Sequence, residues 1–442
     1  MTLGRDFRLL WLGRTLSDTG DYVIPAALAI AVVQATESAG ALALVLACAT
    51  VPRLLLLPLG GVVGDRWSPR QIALLADLAR AGTQLVIGIE LVLGAFRLTD
   101  LAVAAALAGA ASAFALPTAS PLVAGTTGVA DRARANTLLG ISRAAARVVG
   151  PALGGALVLT VGSGWAFLLD AATFAVSAAI LAILRPAPVP ARSGAGARPG
   201  LLRDLADGWS ELRRHRWFPV SLVGHATWNL AAAVLLSLGP VIVIRDLGGE
   251  RTWVALLQAG ALGLLVGSLL ASRTGGTGRF RLRVERPVLM ANLGLALYAL
   301  PLVLLAVRAP GYALIGGYAL ALAGLGFLNP VWETAVQQHI PADRLARVSA
   351  YDILVSLAAM PLGYALAPLA AREFGTTVPL LLTAVLVFVT TAGTAAVPAV
   401  RRLRTEPVVP APEVPGPSAP GAPDHDPPVA RPDPVRPAPG PA

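Results

Sequence analysis

The sequence predicts an all-α integral membrane protein, with twelve transmembrane helices in two six-helix halves and both termini cytoplasmic. Three observations carry this expectation. Hydrophobic residues make up 55 % of the 442 and charged residues only 14 %, with a mean hydropathy of +0.69. Soluble domains are about 45–50 % apolar and about 25 % charged. Apolar stretches of about 20 residues, long enough to cross a hydrocarbon core, recur along the chain, and the arginines between them are shared unequally from loop to loop.

In chain order the spans are expected at 8–34, 39–63, 70–95, 98–122, 134–162, 164–184, 217–244, 252–272, 286–307, 311–337, 346–370 and 376–398. The first opens in "MTLGRDFRLLWLGR", which lacks a small-residue cleavage site after its apolar stretch and so reads as the start of a helix, not a removable signal. Loop arginines orient the set. With a cytoplasmic N-terminus, the inside segments hold 23 arginines and the outside loops five: Arg97, Arg245, Arg251, Arg308 and Arg372. All 35 basic residues are arginine, and the net charge of +10 is therefore a topology signal, with membrane lipids and not nucleic acid as its partner. A single cysteine, Cys48, sits in an apolar run and offers no disulfide framework or thiolate metal cluster.

Between spans 6 and 7, "LLRDLADGWSELRRHRW" places Leu201, Leu202, Leu205, Trp209 and Leu212 on one stripe against charged neighbours. This reads as a helix on the inner membrane surface, with a plain soluble connector helix as the alternative. Residues 405–442 contain 14 prolines and no apolar period, which predicts a disordered tail. The expected divisions are thus 1–184 and 217–400 for the six-helix halves, 185–216 for the linker, and 401–442 for the tail. A repeat supports the halves: "VADRARANTL" (129–138) precedes span 5 and "PADRLARVSA" (341–350) precedes span 11, their Ala-Asp-Arg triplets offset by 212 residues. Parallel halves with a site between them are an established transporter architecture.

Two motifs carry more. "GGVVGDRWSPRQ" (60–71) places Gly61, Asp65, Arg66 and Arg70 in the pattern G-x-x-x-D-R-x-x-x-R after span 2. "RVVGPALGGAL" (147–157) places Gly150, Pro151, Gly154 and Gly155 as G-P-x-x-G-G in span 5. Glycines four apart allow close helix packing, and the proline removes a backbone hydrogen bond. These motifs resemble the loop 2–3 signature and the antiporter signature of the major facilitator superfamily. Stretches such as "FRLLWLGRTLSDTGD", "GWAFLLDAATFAVSAAIL" and "NPVWETAVQQHIPADRLARVSAYD" extend the resemblance over residues 1–400, to its multidrug/proton antiporter branch of macrolide and enterobactin exporters. The resemblance implies that Asp65 faces the cytoplasmic end of span 11, near Arg344 and Arg347, and helps hold an outward-facing state. A positive-inside anchor is the alternative. It also implies that span 5 packs against the other half and that the chain lies in the bacterial cytoplasmic membrane. One departure stands out: span 4 has no arginine of the kind other branches use in proton relay.

Span 1 poses the sharpest question, because Arg14, Asp18 and Asp21 fall at i, i+4 and i+7 on one helix face. Ionisable groups at membrane depth cost at least ~2.5–3.5 kcal/mol each, so partners are needed. Helical rise puts Asp21 and Arg53 at similar depth, roughly 20 Å and 18 Å from the inner surface, with Arg147 comparable and Arg143 lower. The expectation is a cluster of Asp18 and Asp21 against Arg14, Arg53, Arg143 and Arg147. Two readings stand: a site where substrate and proton compete, with Asp21 nearer the midplane as the proton carrier, or a permanently ionised network fixing spans 1, 2 and 5.

His225, Trp228 and Asn229 in span 7 either line a cavity or make an interhelical hydrogen bond. Glu333 and Asp352, near the cytoplasmic ends of spans 10 and 11, read as gating residues with Arg344 and Arg347. Glu90 and Asp170 read as solvated near the outer ends. Metal-ligand spacing, a nucleotide-binding glycine loop and a nucleophile elbow are all missing from the sequence, so no metal, cofactor or enzymatic activity is expected. The resemblance implies a monomeric secondary exporter of amphiphilic small molecules in exchange for protons. An importer or uniporter of the same fold, and a non-transporting receptor or assembly platform, are the alternatives.

Overall fold

Lipid offers a backbone no hydrogen-bond partners, so a spanning segment must satisfy its own amides. The computed structural model describes residues 3–187, 210, 212–273 and 284–403, and these are helical with no strand among them. Side chains at 62, 65, 66, 342–347 and 350 are outside the description, as are residues 201–209 of the expected surface helix and the tail from 404.

The first six expected spans correspond to α1 (Arg5–Thr36), α2 (Ala39–Arg66), α3 (Pro69–Val92), α4 (Leu98–Ala115), α5 (Ala119–Thr126), α6 (Arg132–Thr160) and α7 (Ser163–Ile183). A 3₁₀ turn at Leu116–Thr118, containing Pro117, joins α4 to α5 within one span. The later set comprises α8 (Trp217–Asp246), α9 (Gly249–Ser272), α10 (Pro287–Ala296), α11 (Ala299–Ala306), α12 (Gly311–His339), α13 (Ala342–Phe374), α14 (Thr377–Gly393) and the short α15 (Pro398–Arg401). The break between α10 and α11 has a local cause. Pro301 cannot donate to the carbonyl of Leu297 and its ring crowds that oxygen, and the amides of Tyr298 and Leu300 turn instead to carbonyls three residues back.

Eleven helices or helix pairs among the described residues are long and apolar enough to cross a membrane. The remaining long helix, α6, has 29 residues and spans about 44 Å. It falls outside the apolar set and carries Arg132, Arg134, Arg143 and Arg147.

Packing is regular. Helix α1 lies on α6 and α7, α2 on α4, and α3 on α7; in the later set α8 lies on α13, α9 on α12, and α10 and α11 on α12 and α14. The described residues belong to one compact unit. Contacts between the two sets include α2 with α13 and α6 with α9. Where α1 turns into α2 and α8 into α9, Glu37 pairs with Arg245 and Gln34 donates to Glu250. Arg308 holds Asp246 beside them at 3.2 Å.

Glycines set two of the closest seams. A Cβ at Gly154 of α6 would lie 2.5 Å from the Val23 carbonyl oxygen of α1 and 3.1 Å from its Cα. A Cβ at Gly150 would run into Tyr22, and one at Gly155 into Val254 of α9. The motif thus faces α1 with two glycines and the later set with one. In the α2 motif the tight approach is at Gly60, against the Ala113 backbone of α4, while Gly61 has open space around its Cβ position.

Candidate functional site

Helix α1 presents its charges toward α3, α6 and a cavity. Asp21 pairs with Arg80 of α3, a residue outside the cluster expected from the sequence. The Arg80 guanidinium also stacks 3.9 Å above the Phe174 ring of α7, a contact that offsets part of its desolvation. Asp18 meets Nε of Arg143 at 3.4 Å. Arg147 donates from Nε to the Tyr22 hydroxyl at 2.8 Å, and Arg14 makes a long contact, 3.5 Å, to Thr118. The close α1–α6 seam at the glycine motif is what brings Arg143 and Arg147, four residues apart on α6, to the face of α1.

Asp21, Arg53 and Arg80 share the wall of a cavity of about 320 Å³. Most of its other walls are apolar, among them Leu28, Leu46 and Phe167, and Leu236 and Trp253 reach it from α8 and α9. One carboxylate faces two guanidinium groups here, so the polar end carries excess positive charge.

Two further acids stand behind this wall. Asp170 is fully buried, and Gln84 and Thr173 donate to it at 2.7 and 3.4 Å. Its place near a helix end suggests solvent, but α3 and α1 cover it through Gln84 and Gly20. Its room comes from Gly20, where any Cβ would run into the Asp170 carboxylate. Asp77, also buried, accepts from Ser177 at 2.7 Å. Glu90 is half-buried at its helix end. Neither Arg80 nor Asp77 is singled out by the sequence reading; the one signal that could have found them is a charge inside an apolar span.

Side chains of Asp65, Arg66, Arg344 and Arg347 lie outside the described residues, so their pairing is not part of the geometry. Among the described residues Arg70 meets α7 and not α13. Its Nε donates to the Leu181 carbonyl at 2.6 Å and its terminal nitrogen to Ala182, satisfying orphan carbonyls at the end of α7. Glu333 is exposed on α12.

Asp352 lies apart from Glu333, in a second cavity of about 310 Å³ that His225, Trp228 and Asn229 also line. Trp332 Nε1 donates to Asp352 at 2.7 Å, Ser356 approaches at 3.4 Å, and His225 Nδ1 lies 3.9 Å away. The Asn229 amide donates to the His225 carbonyl in its own helix, not across to a neighbour. No group of three or more metal-ligating side chains occurs among the described residues.

An uncharacterized MFS-type transporter, YfiS of Bacillus subtilis, is 26 % identical over 347 residues, covering 77 % of this chain and 80 % of that protein. A bacterial homologue of the human lysosomal transporter Spinster, solved inward-facing and unoccupied, matches with a TM-score of 0.66 at 16 % identity, over 90 % of this chain and 97 % of its own. The nucleoside transporter NupG matches with a TM-score of 0.67 at 13 % identity, over 89 % and 99 %. At such identities the structural matches establish the fold alone. The profile of the Major Facilitator Superfamily spans residues 10–358, and the chain belongs to that family of membrane transporters.

Proposed function

We propose that the protein is a secondary active exporter of amphiphilic small molecules, driven by proton influx and working by alternating access between two six-helix halves. Helix α6 is the twelfth span in this reading, with Arg143 and Arg147 turned to α1. Residues 1–184 and 217–400 form the halves, both termini are cytoplasmic, and the chain acts as a monomer in the bacterial cytoplasmic membrane. The matched helix pairings, α1 on α6 with α8 on α13 and α2 on α4 with α9 on α12, support the halves.

The observation that carries the reading is the 320 Å³ cavity, apolar on most walls, with the Asp21–Arg80–Arg53 group at its polar end and contributions from both sets of helices. Apolar walls accept a range of amphiphiles through burial, which is non-directional. A carboxylate at the polar end is the group through which proton and substrate compete. Asp21 is that group, because it borders the cavity while Asp77 and Asp170 stand behind it. The glycine motif of α6 supports export, by its likeness to the antiporter signature. The cross-contacts of Glu37 with Arg245 and of Gln34 with Glu250 tie the two sets together at the end that is outer in this reading. Asp65 and Arg66 with Arg344, Arg347 and Glu333 are the gate at the opposite end.

The test is accumulation of fluorescent dyes and antibiotics in an efflux-deficient host. Wild-type protein lowers accumulation, and both an uncoupler and Asp21→Asn abolish this at equal protein level. Export that survives Asp21→Asn but not the uncoupler removes Asp21 from the coupling. Export that survives the uncoupler removes proton coupling altogether.

A further inference from the structure

We propose that the second cavity, between α8, α12 and α13, is a binding site for the ammonium group of an organic amine, with Asp352 as its counter-charge. This deepens the transporter reading above and rests on it for the identity of the amine as a transported molecule.

Four observations converge. First, Asp352 is the only acidic side chain among the twelve residues lining this cavity, and none of the twelve is arginine. No arginine of the described residues pairs with it. Second, among the described residues its hydrogen bonding is incomplete. Oδ2 accepts a short bond from Trp332, but the described partners of Oδ1 are Ser356 at 3.4 Å and, beyond hydrogen-bond range, His225 at 3.9 Å. A carboxylate offers about four acceptor sites, and the side chain is 20 % exposed, so Oδ1 is reachable from the cavity. Third, Trp228 and Trp332 both border the space, and indole is the aromatic surface that attracts cations best. Fourth, leucines at 295, 325, 328 and 357 complete the walls, giving an apolar seat for the body of the ligand.

The first cavity argues the same way by contrast. Its polar end has Arg53 and Arg80 against one carboxylate, so an ammonium group is disfavoured there and favoured beside Asp352. The two cavities are of similar size, about 320 and 310 Å³, and opposite in charge. A ligand carrying an amine therefore has one seat that matches its charge.

The test is calorimetric titration of the purified full-length protein in detergent at neutral pH with three probes of one shape: 1-naphthylmethylammonium, 1-naphthylmethanol and 1-naphthoate. The expected result is at least ten-fold tighter binding of the ammonium than of the alcohol, and weakest binding of the naphthoate. Asp352→Asn, whose amide oxygen still accepts from Trp332, brings the ammonium and alcohol to equal affinity, while Asp21→Asn leaves the preference in place. Equal affinities in the wild type, or preference for naphthoate, overturn the proposal without recourse to any variant. So does a preference lost in Asp21→Asn and kept in Asp352→Asn, which would move the amine to the first cavity. Because binding is read without transport, an exporter reading that fails in cells leaves this result standing, and the reverse holds too.

Discussion

Two alanine substitutions in one helix should move stability in opposite directions, and the α1–α6 seam explains why. At Gly154 an added Cβ would stand 2.5 Å from the Val23 carbonyl oxygen, against the 3.4 Å of an ordinary contact. The obstacle is backbone, which no rotamer change can move aside, so the helices must part by about 0.9 Å locally, the difference of those two distances. Overpacking of this kind costs about 1–3 kcal/mol. At Gly140, in the same helix, nothing lies within 4 Å of the Cβ position. There alanine gains about 0.5–1 kcal/mol from the smaller backbone entropy it loses on folding. Gly154→Ala and Gly140→Ala should therefore differ by about 1.5–4 kcal/mol, read as a difference of several degrees in Tm by tryptophan fluorescence of the purified protein. The seam also carries Arg143 to Asp18 and Arg147 to Tyr22, so dye export should fall in Gly154→Ala and persist in Gly140→Ala. Equal Tm values, or a more stable Gly154→Ala, would refute the seam argument.

Other perturbations test the remaining contacts. Arg80→Gln removes the Asp21 partner and the stack on Phe174. With the Asp21 side chain 39 % exposed, the cost should be about 1–3 kcal/mol, below the ~3–5 kcal/mol of a fully buried pair. Adding Asp21→Asn should restore part of it, and a strictly additive double-mutant cycle would count against the pairing. Arg70→Ala should lower stability by about 1–2 kcal/mol by leaving the end carbonyls of α7 without their donor, and an unchanged Tm would show that solvent replaces it. Glu37→Gln should change stability by less than about 1 kcal/mol, as an exposed ion pair does. It should nonetheless lengthen the distance between spin labels on the first turn of α2 and the last turn of α13; an unaltered distance distribution would show that the pair does not hold the outer end.

Much of the architecture was legible because the bilayer enforces it. A segment that must bury its own backbone polar groups and face lipid has to be helical and apolar for about 20 residues, and both properties are written locally. Even the Pro301 break is local, since it follows from one ring and one missing amide. The charged helix α6 shows the limit of that logic: its arginines take it out of the apolar set, and packing on α1 accounts for two of them, Arg143 and Arg147. The candidate site was legible as a set of charges out of place. Its pairings were not, because helical depth fixes how far along a span a charge lies and not which neighbour it meets. Asp21 pairs with Arg80 and not with Arg53 because α7 closes on α1 at Gly20 and α3 packs on α7. Asp170 left the solvent for the same reason. Asp352 joined His225, 127 residues away in sequence, through the packing of α8 on α13. By itself the sequence determined that this chain is a bundle of membrane helices with charges its lipid-facing surface could not hold. The tertiary structure decided which charges neutralise one another and which are left facing a cavity, because that choice depends on helix rotation and contact, quantities set by the whole bundle and by no single segment.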